Sequence, residues 1–402
     1  MPSRDIGHGA SHLGTRSASP LAKPRIARLQ CSVSVLADNK NQHFVPRCHF
    51  RPFTRDGGGK QIQVVNLDRR RAISDVPVRS QCSGDYFYGD DPQLEAAIQM
   101  VEQGYAASVR HLLAGGEIRR LDQSVLRRFI LLQFCRTEAA SRRAAAMTHA
   151  MTDIPGVELE GRPVTDREAI RIAVKAAMHE YAGLMRIVDD LKVCMVRNNT
   201  QIPFITSDDP AILTNRWYLQ SRRTQGLAFG ARHAGTLFLM PLSPQVHAVL
   251  YDGDIYTVAH RGGWIDVHAP MDVAALNEHQ ILNSFANLYF QDWESRSAVL
   301  SAMEDVIPRR PASRQEVYYA VKDRTTDWGT RYAVKPHAEL EIGEETLVHI
   351  IGVRPRPAAW PSFLQYRRDG KAYYNGTRAG YTRRHCIEAG FVTGHGYRKV
   401  RL

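Results

Sequence analysis

No stretch of this 402-residue chain approaches the ~18 consecutive apolar residues that a membrane-spanning helix needs, so no integral membrane protein and no membrane partner is expected. Cysteine is sparse and scattered, six residues at 31, 48, 82, 135, 194 and 386 with no CxxC pair. That spacing fits no zinc pattern, and a chain of this length can build its core without disulfides. Reduced thiols in a bacterial-type cytoplasm are the expectation. Lysine is also scarce, 9 against 44 arginines, but the bias runs the whole length and so marks codon usage rather than a site. The glycine run Gly57-Gly58-Gly59-Lys60 is followed by no helix and no GK[ST], which sets a phosphate-cradling loop aside. A dinucleotide fingerprint and a GxSxG nucleophile elbow are missing as well.

The net charge of +12 is unevenly placed. Residues 1–42 hold six Lys/Arg against two acids and residues 308–402 hold eighteen against nine, whereas 43–307 has 29 basic and 30 acidic residues. Bulk charge therefore does not make the body a nucleic-acid clamp, although a neutral total is compatible with a local basic cleft.

Residues 1–40 are rich in Ser, Arg, Gly, Ala and Pro and lack sustained periodicity. Their low hydrophobicity does not repay the entropy of ordering, so a disordered leader is expected, with a translational start near Leu36 as a second reading. At Asn41 the character changes. Val45-Pro46 disfavours helix at Val45 and puts His43 on an extended segment, and 61–67 alternates as a strand. From Asp91-Pro92 the period becomes helical: Leu94, Ile98, Val101, Tyr105, Val109 and Leu112 share a face, Glu95 and Glu102 run along its edge, and Gly115-Gly116 ends it. A second helix is expected over 121–148, with Gln133 and Arg136 on or beside its inward face, and a third over 166–196. Strands follow at 236–240 and 246–251, then a helix over 271–290. The fold class this predicts is α+β, a helix-rich body with segregated strands over 41–307. Pro308-Arg309-Arg310-Pro311 reads as a linker into a small basic β-containing domain over 308–402, with strands at 316–321 and 347–353.

Several of these pieces occur together in one family. His43-Phe44-Val45-Pro46 followed by Phe53, the Leu94-Glu95 helix with Glu102, Gln133-Phe134-Cys135-Arg136-Thr137, the run Phe204–Pro210 (FITSDDP), Pro241-Leu242-Ser243-Pro244 and Asn277 appear in order. In this the chain resembles an uncharacterised bacterial family, domain of unknown function 4238, over about residues 41 to 300. It departs from the family pattern in carrying His49 where a hydrophobic or aromatic residue is typical, and SDDP for SDNP. The resemblance brings no activity with it.

The residue types nonetheless point to a chemistry. A hard divalent ion prefers carboxylates with an occasional imidazole. Glu95, Glu102, Asp208 and Asp209 are the expected ligands for Mg²⁺ or Mn²⁺, with His43 and Asp208 as catalytic groups and Arg136 steadying phosphoryl charge. The leading expectation is a metal-dependent hydrolase acting on nucleic acid, of the kind used as a bacterial defence or conflict effector. The competing reading is a non-catalytic nucleic-acid- or protein-binding module. In it SDDP is an Asx turn, Glu102 and Arg136 form a buried ion pair, His43 is a hydrogen-bonded core residue, and the basic tail does the binding. From Tyr366 onward nine Lys/Arg face two acids among interleaved tyrosines, and Arg367, Arg368, Arg383, Arg384, Arg398 and Lys399 are the expected DNA or RNA contacts. A zinc site on His43, Cys48 and His49 lacks a fourth ligand at suitable spacing.

Overall fold

The computed structural model describes residues 41–402 apart from 86, 90, 138, 143–148, 152, 157–165, 327–328 and 393–394. The expected leader lies outside the described residues. Strand β1 (Asn41–His43) leads through the extended Pro46 into a single helical turn, α1 (Arg47–Phe50). Strands β2 (Gln61–Asn66), β3 (Arg71–Pro77) and β4 (Ser83–Asp85) precede helix α2 (Pro92–Leu113), whose first amides are capped by the Asp91 carboxylate. Helices α3 (Arg120–Arg136) and α4 (Asp166–Leu184) follow.

Next come β5 (Lys192–Asn198), β6 (Thr206–Ser207), β7 (Ile212–Thr214), the short α5 (Arg216–Gln220), β8 (Leu237–Ser243), β9 (Val246–Tyr251), β10 (Tyr256–Thr257) and β11 (Trp264–Val267). Helix α6 (Pro270–Asn283), β12 (Asn287–Phe290) and α7 (Arg296–Val306) complete the body.

The centre is a five-stranded sheet in the order β11-β5-β9-β8-β7, antiparallel except where β11 runs parallel to β5. Alternation sends Val193 and Met195 to one face, onto Tyr105, Val109 and Leu112 of α2 and Leu126, Phe129 and Ile130 of α3. Cys194 and Val196 point the other way, onto Val273 and Leu276 of α6. With both faces covered, β8 and β9 are buried along their whole length and are apolar apart from Ser243 and His247. A second, antiparallel sheet, β3-β2-β12-β6, stands beside it. The mixed α+β class is as expected.

Four boundaries differ from expectation, each for a local reason. Helix α3 stops at Arg136 because Thr137 turns extended and caps the next helical turn, its hydroxyl accepting from Ala140 N at 3.1 Å. The third helix ends at Leu184, not Val196, because Lys192–Asn198 alternates between the two sheet faces. Helix α6 ends at Asn283, where the Asp208 carboxylate gathers the next amides and turns the chain into β12. The fourth difference is the domain boundary at 307/308. Strands β13 (Gln315–Thr326), β14 (Gly329–Lys335) and β15 (Thr346–Gly352) do form a sheet of their own. The rest of the tail, however, belongs to the same compact unit as the body. Strand β16 (Gln365–Tyr366) pairs with β10. Leu364, Ala372 and Tyr381 enter the core on the α6 side of the central sheet, and Cys386 enters the core on the α2–α3 side. Beyond β16, β17 (Lys371–Tyr374) pairs with β18 (Arg398–Arg401) around α8 (Arg384–Glu388). The charge excess of this segment masked the few apolar residues that anchor it.

Candidate functional site

Strand β1, the α1 turn and the N-terminal half of α2 enclose a cleft of about 310 Å³. His43, Arg47, Cys48, Tyr88, Glu95 and Glu102 line it. Its shape follows from the Gln42–Pro46 run. The Gln42 amide bonds Gly89 O at 2.9 Å and accepts from Tyr88 N at 2.7 Å, and the Tyr88 hydroxyl donates to His43 O at 3.1 Å. The Gln133 amide holds Phe44 O at 2.8 Å, pinning the run to α3.

Beneath the cleft lies Arg136, 0% exposed. Its Nη1 donates to Glu102 Oε1 at 2.6 Å and its Nε to Gln133 Oε1 at 2.9 Å. Among the described residues Nη2 has no hydrogen bond of good geometry, although the Tyr88 phenol stands close enough to feel its charge. The Glu102 side chain is 24% exposed, so the pair has one end in the protein and one at the cleft surface. Arg136 therefore orients Glu102 and does not reach a bound phosphate. That corrects its expected role. The exposed cation at the rim is Arg47, which drew no expectation from the sequence though it directly follows His43-Phe44-Val45-Pro46.

His43 is held below the ordinary imidazole range, first by burial and then by the Arg47 charge, so it is neutral at neutral pH. Its Nε2 is buried without a hydrogen-bond partner among the described residues. Burial pushes the Cys48 thiol up to about 12, which leaves no thiolate for nucleophilic chemistry.

Asp208 and Asp209 do not line this cleft. Both Asp208 oxygens are engaged by backbone amides: Phe285 N at 2.7 Å on Oδ1, Ala286 N at 2.7 Å and Asn287 N at 2.8 Å on Oδ2. Burial lifts its pKa to about 6 against the pull of those amides. Asp209 accepts from the Thr137 hydroxyl at 2.8 Å, and its own amide donates to Ser207 Oγ at 3.2 Å. SDDP is thus a structural turn that seats β12 beside β6. The four expected metal ligands separate into a cleft pair and a turn pair, and among the described residues no group of three or more His, Cys, Asp or Glu side chains is placed to hold a metal ion. His49, the departure from the family pattern, is fully buried and bonds the Tyr105 hydroxyl at 2.9 Å and Thr206 Oγ1 at 2.8 Å, so both its nitrogens are taken.

The expected nucleic-acid contacts divide as well. Arg367, Arg368, Arg398 and Lys399 are exposed, and Arg384 is exposed but paired with Glu388 at 2.7 Å. Arg383 is 3% exposed, bonds Asp190 and the carbonyls of Ile187 and Ala231, and is a structural residue.

An α+β protein with a polar cleft beside a buried Arg–Glu pair is the class these features define. Residues 41–294 match the family described as a protein of unknown function, DUF4238, and the chain belongs to that family. No curated protein and no solved structure matches it. Among the described residues no helix is long and apolar enough to cross a membrane.

Proposed function

We propose that the protein is a hydrolase of nucleic acid whose reaction takes place in the cleft of His43, Arg47, Glu95 and Glu102. The observation that carries this reading is the meeting, in one cleft, of a neutral imidazole and an exposed guanidinium from the β1–α1 run with two carboxylates from α2. A neutral His43 is in the form that accepts a proton from an attacking water. Arg47 at the rim is the cation for the phosphodiester. Mg²⁺ commonly binds through one or two carboxylates plus substrate phosphate rather than in an all-protein cage. The arrangement suits that mode, with Glu102 as the carboxylate, Mg²⁺ or Mn²⁺ as the ion, and Arg136 fixing the Glu102 orientation. Glu95 stands two helical turns away, roughly 10 Å along α2, and meets a different part of the substrate.

The test is turnover of single- and double-stranded DNA and RNA with Mg²⁺, Mn²⁺ or EDTA, in the wild type and in His43→Asn and Arg47→Gln. Glu102→Gln is unsuited because it strands the Arg136 charge. Metal-dependent turnover that both variants lose, with unchanged melting curves, is the expected result. Turnover that survives His43→Asn, or none with any ion, overturns the reading. The second reading is a non-catalytic binding module. It is favoured by the structural engagement of Arg136, Asp208 and Asp209 and by the exposure of Arg367, Arg368, Arg398 and Lys399. It predicts binding without turnover, abolished by Arg398→Glu with Lys399→Glu.

A further inference from the structure

A larger cleft, about 850 Å³, opens where α2 ends and α3 begins. Its walls are the Gly115-Gly116 turn, Arg127 of α3, Lys192 and Arg197 of β5, and the Arg261–Trp264 turn leading into β11. Four cations, Arg127, Lys192, Arg197 and Arg261, meet only two carboxylates, Glu117 and Asp266. Their commitments differ. Arg127 donates through Nε to Leu191 O at 2.7 Å. Arg197 bonds Asp266 at 2.9 Å, and its guanidinium carbon sits over the Trp264 ring, 4.6 Å from the centroid. Lys192 and Arg261 are exposed, and among the described residues neither has a carboxylate within ion-pair distance.

The Trp264 platform is set by backbone. Gly262 and Gly263 adopt φ +59° and +85°, and a Cβ at 263 would come within 2.6 Å of Ile118 Cδ1. Gly263 O accepts Met195 N at 2.9 Å, which docks the turn against the sheet edge. The inner side of the stack is the indole, partly buried against the main core. The Arg197 side chain, which covers the indole, is 42% exposed.

We infer that this cleft binds a single strand of nucleic acid, with phosphates on Lys192 and Arg261 and a base stacked on the accessible face of the Arg197 guanidinium. Single strands are held by cationic grooves with planar groups that take successive bases, and Arg planes serve as well as aromatic rings. A lone anion has no use for the Arg197–Trp264 pair, and a duplex hides its base faces. The near-neutral charge of the body does not oppose this, because charges beyond about 8 Å are screened at physiological salt and the local excess decides. The inference does not rest on the hydrolytic reading, and it is tested in EDTA on the His43→Asn protein so that the two fail separately.

The experiment is fluorescence anisotropy of a labelled oligonucleotide of roughly ten nucleotides against the full chain, the Lys192→Glu/Arg261→Glu variant and the milder Lys192→Gln/Arg261→Gln variant. Both positions are exposed, so far-UV circular dichroism and melting should match the wild type. The expected result is at least tenfold weaker binding for the charge reversal and an intermediate value for the Gln pair. The salt slope should flatten by about 1.4, two phosphates at roughly 0.7 each. A mononucleotide and a duplex of equal length should compete poorly. Equal competition by inorganic polyphosphate would reduce the site to charge alone and overturn the base-stacking assignment. Binding that survives the charge reversal but is lost in Arg398→Glu/Lys399→Glu, or no binding by the wild type, overturns the site itself.

Discussion

Thr137 donates its hydroxyl proton to Oδ1 of Asp209 across 2.8 Å, and so joins the end of α3 to the turn before β7. The same hydroxyl oxygen accepts Ala140 N, so one side chain both caps a helical turn and satisfies a buried carboxylate. Thr137→Val keeps the shape and removes both bonds. Losing a hydrogen bond to a charged group costs about 1.5–3 kcal/mol, and urea unfolding should show a loss of that size with an unchanged m-value.

Asp208→Asn should destabilise the protein for a related reason. An amide presents one NH₂ to a set of three N–H donors, so at least one favourable bond becomes a donor–donor contact. The pH dependence separates this from a general loss. The Asp208 carboxyl titrates near 6 in the folded chain against about 3.8 for an unperturbed aspartate. Because the folded state holds this proton more tightly, its contribution is full below pH 3.8 and is lost as pH rises through 6. The stability difference between wild type and Asp208→Asn should therefore change between pH 4 and pH 6.5 and level off above it. A difference flat across that window would contradict the assignment.

Arg136 and Glu102 should be strongly coupled. Arg136→Met leaves Glu102 near the surface with solvent for company, whereas Glu102→Gln leaves a fully buried guanidinium without its carboxylate. Breaking a buried pair from one side costs about 3–5 kcal/mol, so Glu102→Gln should be the more damaging single change. The double variant should recover part of the loss, and a double-mutant cycle by chemical denaturation measures it. Additive effects would show that the two do not act as a pair.

Three imidazoles, His49, His247 and His279, are fully buried and held near 3 by burial, against 6.5 for an unperturbed histidine. Each is neutral when folded and takes up a proton on unfolding below pH 6.5. Their contribution is present above that value and drains away as pH falls toward 3. His279 Nε2 has no hydrogen-bond partner among the described residues, and its ring packs edge-on against Trp360. His279→Phe should therefore melt close to the wild type at pH 7.5 and above it at pH 5.

Deletion of 308–402 should prevent cooperative folding of the remainder. It would remove Leu364, Ala372, Tyr381 and Cys386 from two cores and expose the Asp190 side chain that Arg383 holds. A broad, non-cooperative melt of the truncated chain is expected; a sharp transition would restore the case for a separate tail domain.

The helix faces were legible because helical and strand periods are written directly in apolar spacing: Ile98, Tyr105, Val109 and Leu112 are buried as that spacing requires. So was the cleft pair, since Glu95 and Glu102 sit at the edge of that stripe and Arg136 was an evident partner. What was illegible depends on contacts across long sequence separations. Nothing local says that Asp208 turns toward 285–287 rather than toward Glu102, or that His49 meets Thr206 157 residues later. The tail misled for a different reason. Eighteen cations dominate its composition, while the four residues that dock it are spread across more than twenty positions. Arg47 escaped notice because an arginine stands out in a sequence when an acid lies in register with it, and Arg47 has none.

The pairing of β2 with β12 carries a kinetic consequence. Asn66 and Asn287 touch across a separation of 221 residues. On a ribosome adding ~5–20 residues per second, β2 waits roughly 10–45 s before its partner exists. Throughout that interval Ile62, Val64 and Val65 belong to a strand with one edge open and apolar side chains directed to two different cores, a template for pairing with the wrong chain. The central sheet has the same dependence, since its last core residues arrive only with Tyr381 and Cys386. Yield on overexpression should therefore respond more to translation speed and holdase chaperones than to changes that raise the melting temperature.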